Sequence, residues 1–117
     1  MALLAFNDTI DAGADYDLTV WDKQPDKTAT DLTGCTAKLQ LRRTATSEEA
    51  ALELTTDEDG GLTITPALGR IDIHMTAAQT ALLSGRYVYA LELYGPAAGS
   101  VARPVEGWFT ISPEVVR

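Results

Sequence analysis

Hydrophobic and polar residues alternate with a period of two through most of this chain, the signature of half-buried β-strands, whose successive side chains point to opposite faces. The plainest case is Cys35 to Arg42. There Cys35, Ala37, Leu39 and Leu41 share one face and Thr36, Lys38, Gln40 and Arg42 the other. Tyr16, Leu18 and Val20 alternate in the same way with Asp17, Thr19 and Trp21. Leu62 and Ile64 form a short strand. The turn residues Pro66 and Gly69 connect it to a run in which Ile71, Ile73 and Met75 alternate with Arg70, Asp72 and His74, so a hairpin is expected. Tyr87, Tyr89, Leu91 and Leu93 line one face of a further strand, and Val101, Val105, Phe109 and Ile111 line one face of the last. Between them Gly95 to Ser100, with a Gly-Pro and a Gly-Ser pair, reads as a hairpin loop. Weaker strands are predicted near Leu3 to Ile10 and Ala51 to Thr55.

One segment departs from this period. Thr76 and Gln79 have the spacing of a capping box, and the following Thr-Ala-Leu-Leu runs into Ser84 and Gly85, a helix stop, so one short helix is predicted near residues 76–83. The stretch from Asp22 to Thr33 is polar and long for a hairpin, which predicts a crossing between sheets or a projecting loop. Pro113 cannot donate to a ladder and should end the last strand. Seven or eight short strands and a single helix predict an all-β, immunoglobulin-like antiparallel β-sandwich. With no linker and no internal repeat, residues 1–117 read as one domain.

Charge removes several function classes. Seventeen Asp and Glu against nine Lys and Arg would repel a phosphate backbone or an anionic membrane, so neither nucleic acid nor membrane is an expected partner. No apolar run approaches the roughly eighteen residues that cross a bilayer, and the first residues lack the basic start and apolar stretch of a secretory signal, which predicts synthesis in the cytoplasm. Cys35, the single cysteine, has no partner for an internal disulfide and reads as a small core residue.

Chemistry-bearing motifs are sparse. Asp57-Glu58-Asp59 before Gly60 and Gly61 gathers three carboxylates on a turn. It lacks the alternating ligand spacing and distal glutamate of a calcium loop, and reads as a solvated turn. His74 is the sole histidine and sits on a polar strand face beside Arg70 and Asp72. No serine stands in a nucleophile elbow, and one Cys with one His cannot furnish a structural zinc site. The two glycines after the acidic turn make no phosphate cradle. The expectation is therefore no enzyme, no metal, no cofactor and no small-molecule substrate. Trp21 and Trp108 are the interaction candidates. Each falls opposite its strand's apolar set, where an aromatic ring can anchor a protein contact, stack on a sugar, or pack beneath a covering loop.

Three stretches carry a resemblance: Asp31-Leu-Thr-Gly-Cys-Thr-Ala-Lys-Leu-Gln-Leu-Arg42, Leu83-Ser-Gly-Arg-Tyr-Val-Tyr-Ala-Leu-Glu-Leu93 and Glu106-Gly-Trp-Phe-Thr-Ile-Ser-Pro-Glu-Val115. In order and spacing they resemble small immunoglobulin-like structural proteins of tailed phages and prophages, similar to the N-terminal domain of baseplate upper proteins. Cys35 departs from that pattern, since an aromatic residue is common after the first motif's glycine. The resemblance implies a virion structural protein of the tail or baseplate region, synthesised in the host cytoplasm. It would act as an adaptor or peripheral subunit through contacts with other virion proteins and with copies of itself. A capsid decoration protein of the same fold is the alternative within that class, and a carbohydrate-binding module using Trp21 or Trp108 is the alternative outside it.

Overall fold

The structure, a computed structural model, describes residues 4–22, 30–96 and 99–113. In chain order its elements are β1 (Leu4–Ala5), β2 (Asp8–Asp11), β3 (Tyr16–Trp21), β4 (Thr36–Arg42), β5 (Leu52–Thr55), β6 (Leu62–Thr65), a 3-10 turn (Pro66–Leu68), β7 (Arg70–Met75), α1 (Ala77–Ala81), β8 (Gly85–Tyr94) and β9 (Val101–Ser112). They form a β-sandwich of two sheets. The larger has the order β1-β9-β8-β4-β5, with β2 also on β9, and the smaller has the order β3-β7-β6. The neighbours β3-β7-β6 and β9-β8-β4 reproduce the B-E-D and G-F-C pairings of immunoglobulin sandwiches.

Alternation explains why these segments are strands and how the layers close. In β4 the buried residues are Ala37, Leu39 and Leu41, in β8 Tyr87, Tyr89, Leu91 and Leu93, and in β7 Ile71, Ile73 and Met75. All of them join one core, with Phe109 and Ile10 among its largest fully buried side chains. A one-residue slip in any of these strands would send its apolar set into water, so register and burial fix each other. The predicted hairpin is present, with Leu62 opposite Ile73 and Ile64 opposite Ile71. Gly69, at φ 61°, supplies the left-handed turn between its strands.

Helix α1 is shorter than the predicted span and carries the full capping box. The Thr76 hydroxyl accepts from the Gln79 amide, and the Gln79 side chain accepts from the Thr76 amide. Its one buried residue, Thr80, donates its hydroxyl to the Ala14 carbonyl at 2.8 Å and accepts from the Gly13 amide at 3.1 Å, which ties the helix to the turn before β3. At the start of β8 the Tyr87 hydroxyl accepts from the Ser84 amide at 3.1 Å, a bond like the tyrosine corner of immunoglobulin domains.

Three expectations need correction. The sandwich is not wholly antiparallel, because β1 and β2 both run parallel to β9. Val101 does not share the inward face of the last strand. The β8–β9 register shifts between Leu91 and Leu93, which pair with Val105 and Ala102, so Val101 turns outward and is 57% exposed. Pro104 lies between the paired residues Ala102 and Val105, at a bulge of the kind that accommodates proline within a sheet. Cys35 precedes β4 and is only partly buried, and its thiol lies 3.5 Å from the Gly95 carbonyl. β3 and β4 lie in different sheets, so the connection between them crosses from one to the other. Residues 23–29 of that connection, 97–98 of the β8–β9 loop and 114–117 of the tail lie outside the described residues.

Candidate functional site

Two tyrosine hydroxyls brace the fold. The Tyr16 hydroxyl donates to Asp8 Oδ2 at 2.7 Å, and burial, then that carboxylate, pushes its pKa well above the ordinary phenol range. The Tyr89 hydroxyl donates to the Phe6 carbonyl at 2.7 Å, and burial, helped by Asp8, pushes its pKa up to about 12. Both phenols stay protonated across ordinary pH and act as struts. His74 faces Asp17 across the β3–β7 pair, with Nδ1 2.6 Å from Oδ1, on the open outer side of the smaller sheet. Asp57, Glu58 and Asp59 are all exposed on their turn, and among the described residues no three metal-ligating side chains converge. Among the described residues no helix is long and apolar enough to cross a membrane.

Among the described residues, Asp22 is the one buried carboxylate. Only 6% exposed, it hydrogen-bonds Thr30, yet its Oδ2 finds no partner among the described residues. Burial raises its pKa above the usual carboxylate range. A raised folded-state value means that the group's contribution to stability is fully present below the unfolded pKa of about 4 and is lost as pH rises through the folded value. Asp22→Asn removes that titration. Its stability relative to the parent should therefore rise between about pH 3 and pH 7. Urea denaturation at the two pH values measures the change, and a constant difference would refute it.

The two tryptophans occupy different surroundings. Trp21 is 51% exposed on the outer face of the smaller sheet, with the Arg70 guanidinium 5.5 Å from its ring centroid. Trp108 is 47% exposed on the outer face of the larger sheet and lines a groove of about 660 Å³. Trp21 lines neither this groove nor a second one of about 760 Å³ beside the acidic turn.

Strand register explains the shape of the Trp108 groove. Across the sheet, Ala5, Glu106, Ala90, Gln40 and Glu53 lie side by side on successive strands. Two residues along, Trp108, Val88 and Arg42 form the next row. Toward the opposite end, Glu92 stands beside Lys38. The small Ala5 and Ala90 leave a depression between two rows of larger side chains.

Several of its polar groups are held in place by hydrogen bonds within the protein. Arg42 donates to Gln40 Oε1 at 2.7 Å and to the Ser47 carbonyl at 2.8 Å, and Gln40 in turn donates to Glu53. Glu92 accepts from the Tyr94 hydroxyl at 2.9 Å and from Arg103 at 3.0 Å, and those two hydrogen bonds lower its pKa. Sequence reasoning identified Trp108 and missed the rest of the groove. The parity of Leu91 and Leu93 would have sent Ala90, Glu92 and Tyr94 outward, but only the strand order brings Lys38, Gln40 and Arg42 beside them. No protein-family model matches the chain, and no curated protein matches its sequence.

Proposed function

We propose that this chain is a structural protein of a tailed-phage virion, an adaptor or peripheral subunit of the tail or baseplate region. It works through contacts with other virion proteins and with copies of itself, has no catalytic role, and reaches the particle after synthesis in the host cytoplasm. One observation carries the reading. Over the described residues, the three stretches that resemble phage structural proteins fall on β4, β8 and β9 with their flanking turns, and these three strands are adjacent in one sheet. The likeness thus concerns one continuous surface rather than scattered turns.

Surface composition supports it. The outer face of the larger sheet carries Lys38, Arg42, Arg86 and Arg103, four of the nine cationic residues of an acidic chain, together with Trp108 and Tyr94. Arg, Trp and Tyr are the residues that most often anchor protein interfaces.

The test is mass spectrometry of purified particles, followed by separation of tails from heads. The polypeptide is expected in intact particles and in isolated tails. Its presence in heads alone would reassign it to capsid decoration, and its absence from particles would overturn the proposal.

A further inference from the structure

The groove around Trp108 has features that a protein-contact surface does not require. Arg86 stands with its guanidinium 4.8 Å from the Trp108 ring centroid, and it does not line the groove, whereas Trp108 does. One side of the indole is therefore covered by a cation and the side toward the groove is open. The floor beneath that open side is short, formed by Ala5, Gly107 and Ala90. Around it stand charged and amide side chains, of which Arg42, Gln40 and Glu92 are held by hydrogen bonds within the protein. Glu106 and Lys38 form no salt bridge among the described residues, which leaves an acceptor and a donor at the groove free to bond something else.

We infer that this groove is a saccharide-binding site, with Trp108 as its stacking platform. A pyranose ring has one face of C–H groups and a rim of hydroxyls that both donate and accept. The first matches an exposed indole face, and the second matches a mixed set of Gln, Glu, Lys and Arg better than a single-sign patch would. The volume is that of a small-ligand site. Side by side on adjacent strands, Ala5, Glu106, Ala90 and Gln40 span about 15 Å, enough for a short oligosaccharide lying across the sheet. Trp21, under Arg70 and outside both grooves, has no equivalent setting and no part in the site. This inference uses only the side chains of the groove and does not rest on the virion assignment.

The experiment is a glycan array of neutral and sialylated oligosaccharides probed with the full chain. The tightest array oligosaccharide is then titrated by calorimetry into the parent and three variants. Binding is expected to weaken at least about tenfold in Trp108→Ala. It should also weaken in Ala90→Arg, which fills the floor from the outward side of β8, and persist in Trp21→Ala. Unchanged thermal melting of each variant separates lost binding from lost folding. A silent array would overturn the saccharide site, as would binding that survives both Trp108→Ala and Ala90→Arg. A silent array together with reduced incorporation of Trp108→Ala into particles would overturn it in favour of a protein partner on this face, and leave the virion role standing.

Discussion

Truncation of Phe109 to alanine should lower the folding stability by about 3–5 kcal/mol, a large part of the roughly 5–15 kcal/mol that a domain of this kind possesses. Phe109 is fully buried on β9 and stacks on Tyr89 with centroids 3.9 Å apart and planes 6° from parallel, while Tyr16 meets its edge at 5.5 Å. The three rings bring together β9, β8 and β3, one strand of which lies in the opposite sheet. A methyl group in place of the ring opens a cavity that neither tyrosine can fill, because their hydroxyls are held by Asp8 and by the Phe6 carbonyl. Relaxation into the space would break those bonds, so most of the cavity cost should remain. Phe109→Leu, which keeps more of the volume, should cost less. Equilibrium urea denaturation reads both variants, and a loss below about 1 kcal/mol for the alanine variant would show that the ring cluster does not hold the two sheets together.

The readability of this fold followed the range of the interactions. β4, β7 and β8 were legible because burial on one face and exposure on the other impose a period of two that needs no partner to be seen. The helix cap was legible for the same reason, since Thr76 and Gln79 bond within one turn. Val101 was misplaced because alternation counts residues and a bulge adds one. Pro104 was the local sign that the ladder was interrupted there. The parallel course of β1 and β2 had no local sign, because it depends on the return of β9 to their side nearly a hundred residues later. The groove stands between these cases. The outward direction of Trp108 follows from Phe109 facing inward, but its neighbours come from β1, β4 and β8, and only the strand order assembles them.

Gly107→Ala should be destabilising by about 3 kcal/mol, the sum of overpacking and a lost buried hydrogen bond, although nothing about the residue's own backbone excludes a side chain. The constraint is close approach. A Cβ at this position would stand 2.0 Å from the Phe6 carbonyl oxygen and 2.8 Å from Asn7 Oδ1. Gly107 lies opposite Tyr89, and its missing side chain leaves the space in which the Tyr89 hydroxyl meets the Phe6 carbonyl. The chain between β1 and β2 bends into this gap. There the Asn7 side chain accepts from the Trp108 amide at 3.0 Å, and the Phe6 amide donates to the Glu106 carbonyl at 3.0 Å. An added methyl group must push the Phe6 carbonyl away, and it takes the Tyr89 bond with it. Tyr89→Phe should therefore cost less in the Gly107→Ala background than in the parent, the non-additivity expected of two changes that remove one interaction. Hydrogen exchange supplies the local reading, with protection lost first at the Phe6 and Trp108 amides while the Leu39 and Leu91 amides of the central β4–β8 pair keep theirs. Additive costs, or uniform loss of protection across both sheets, would mean that Gly107 does not act by admitting the N-terminal strand.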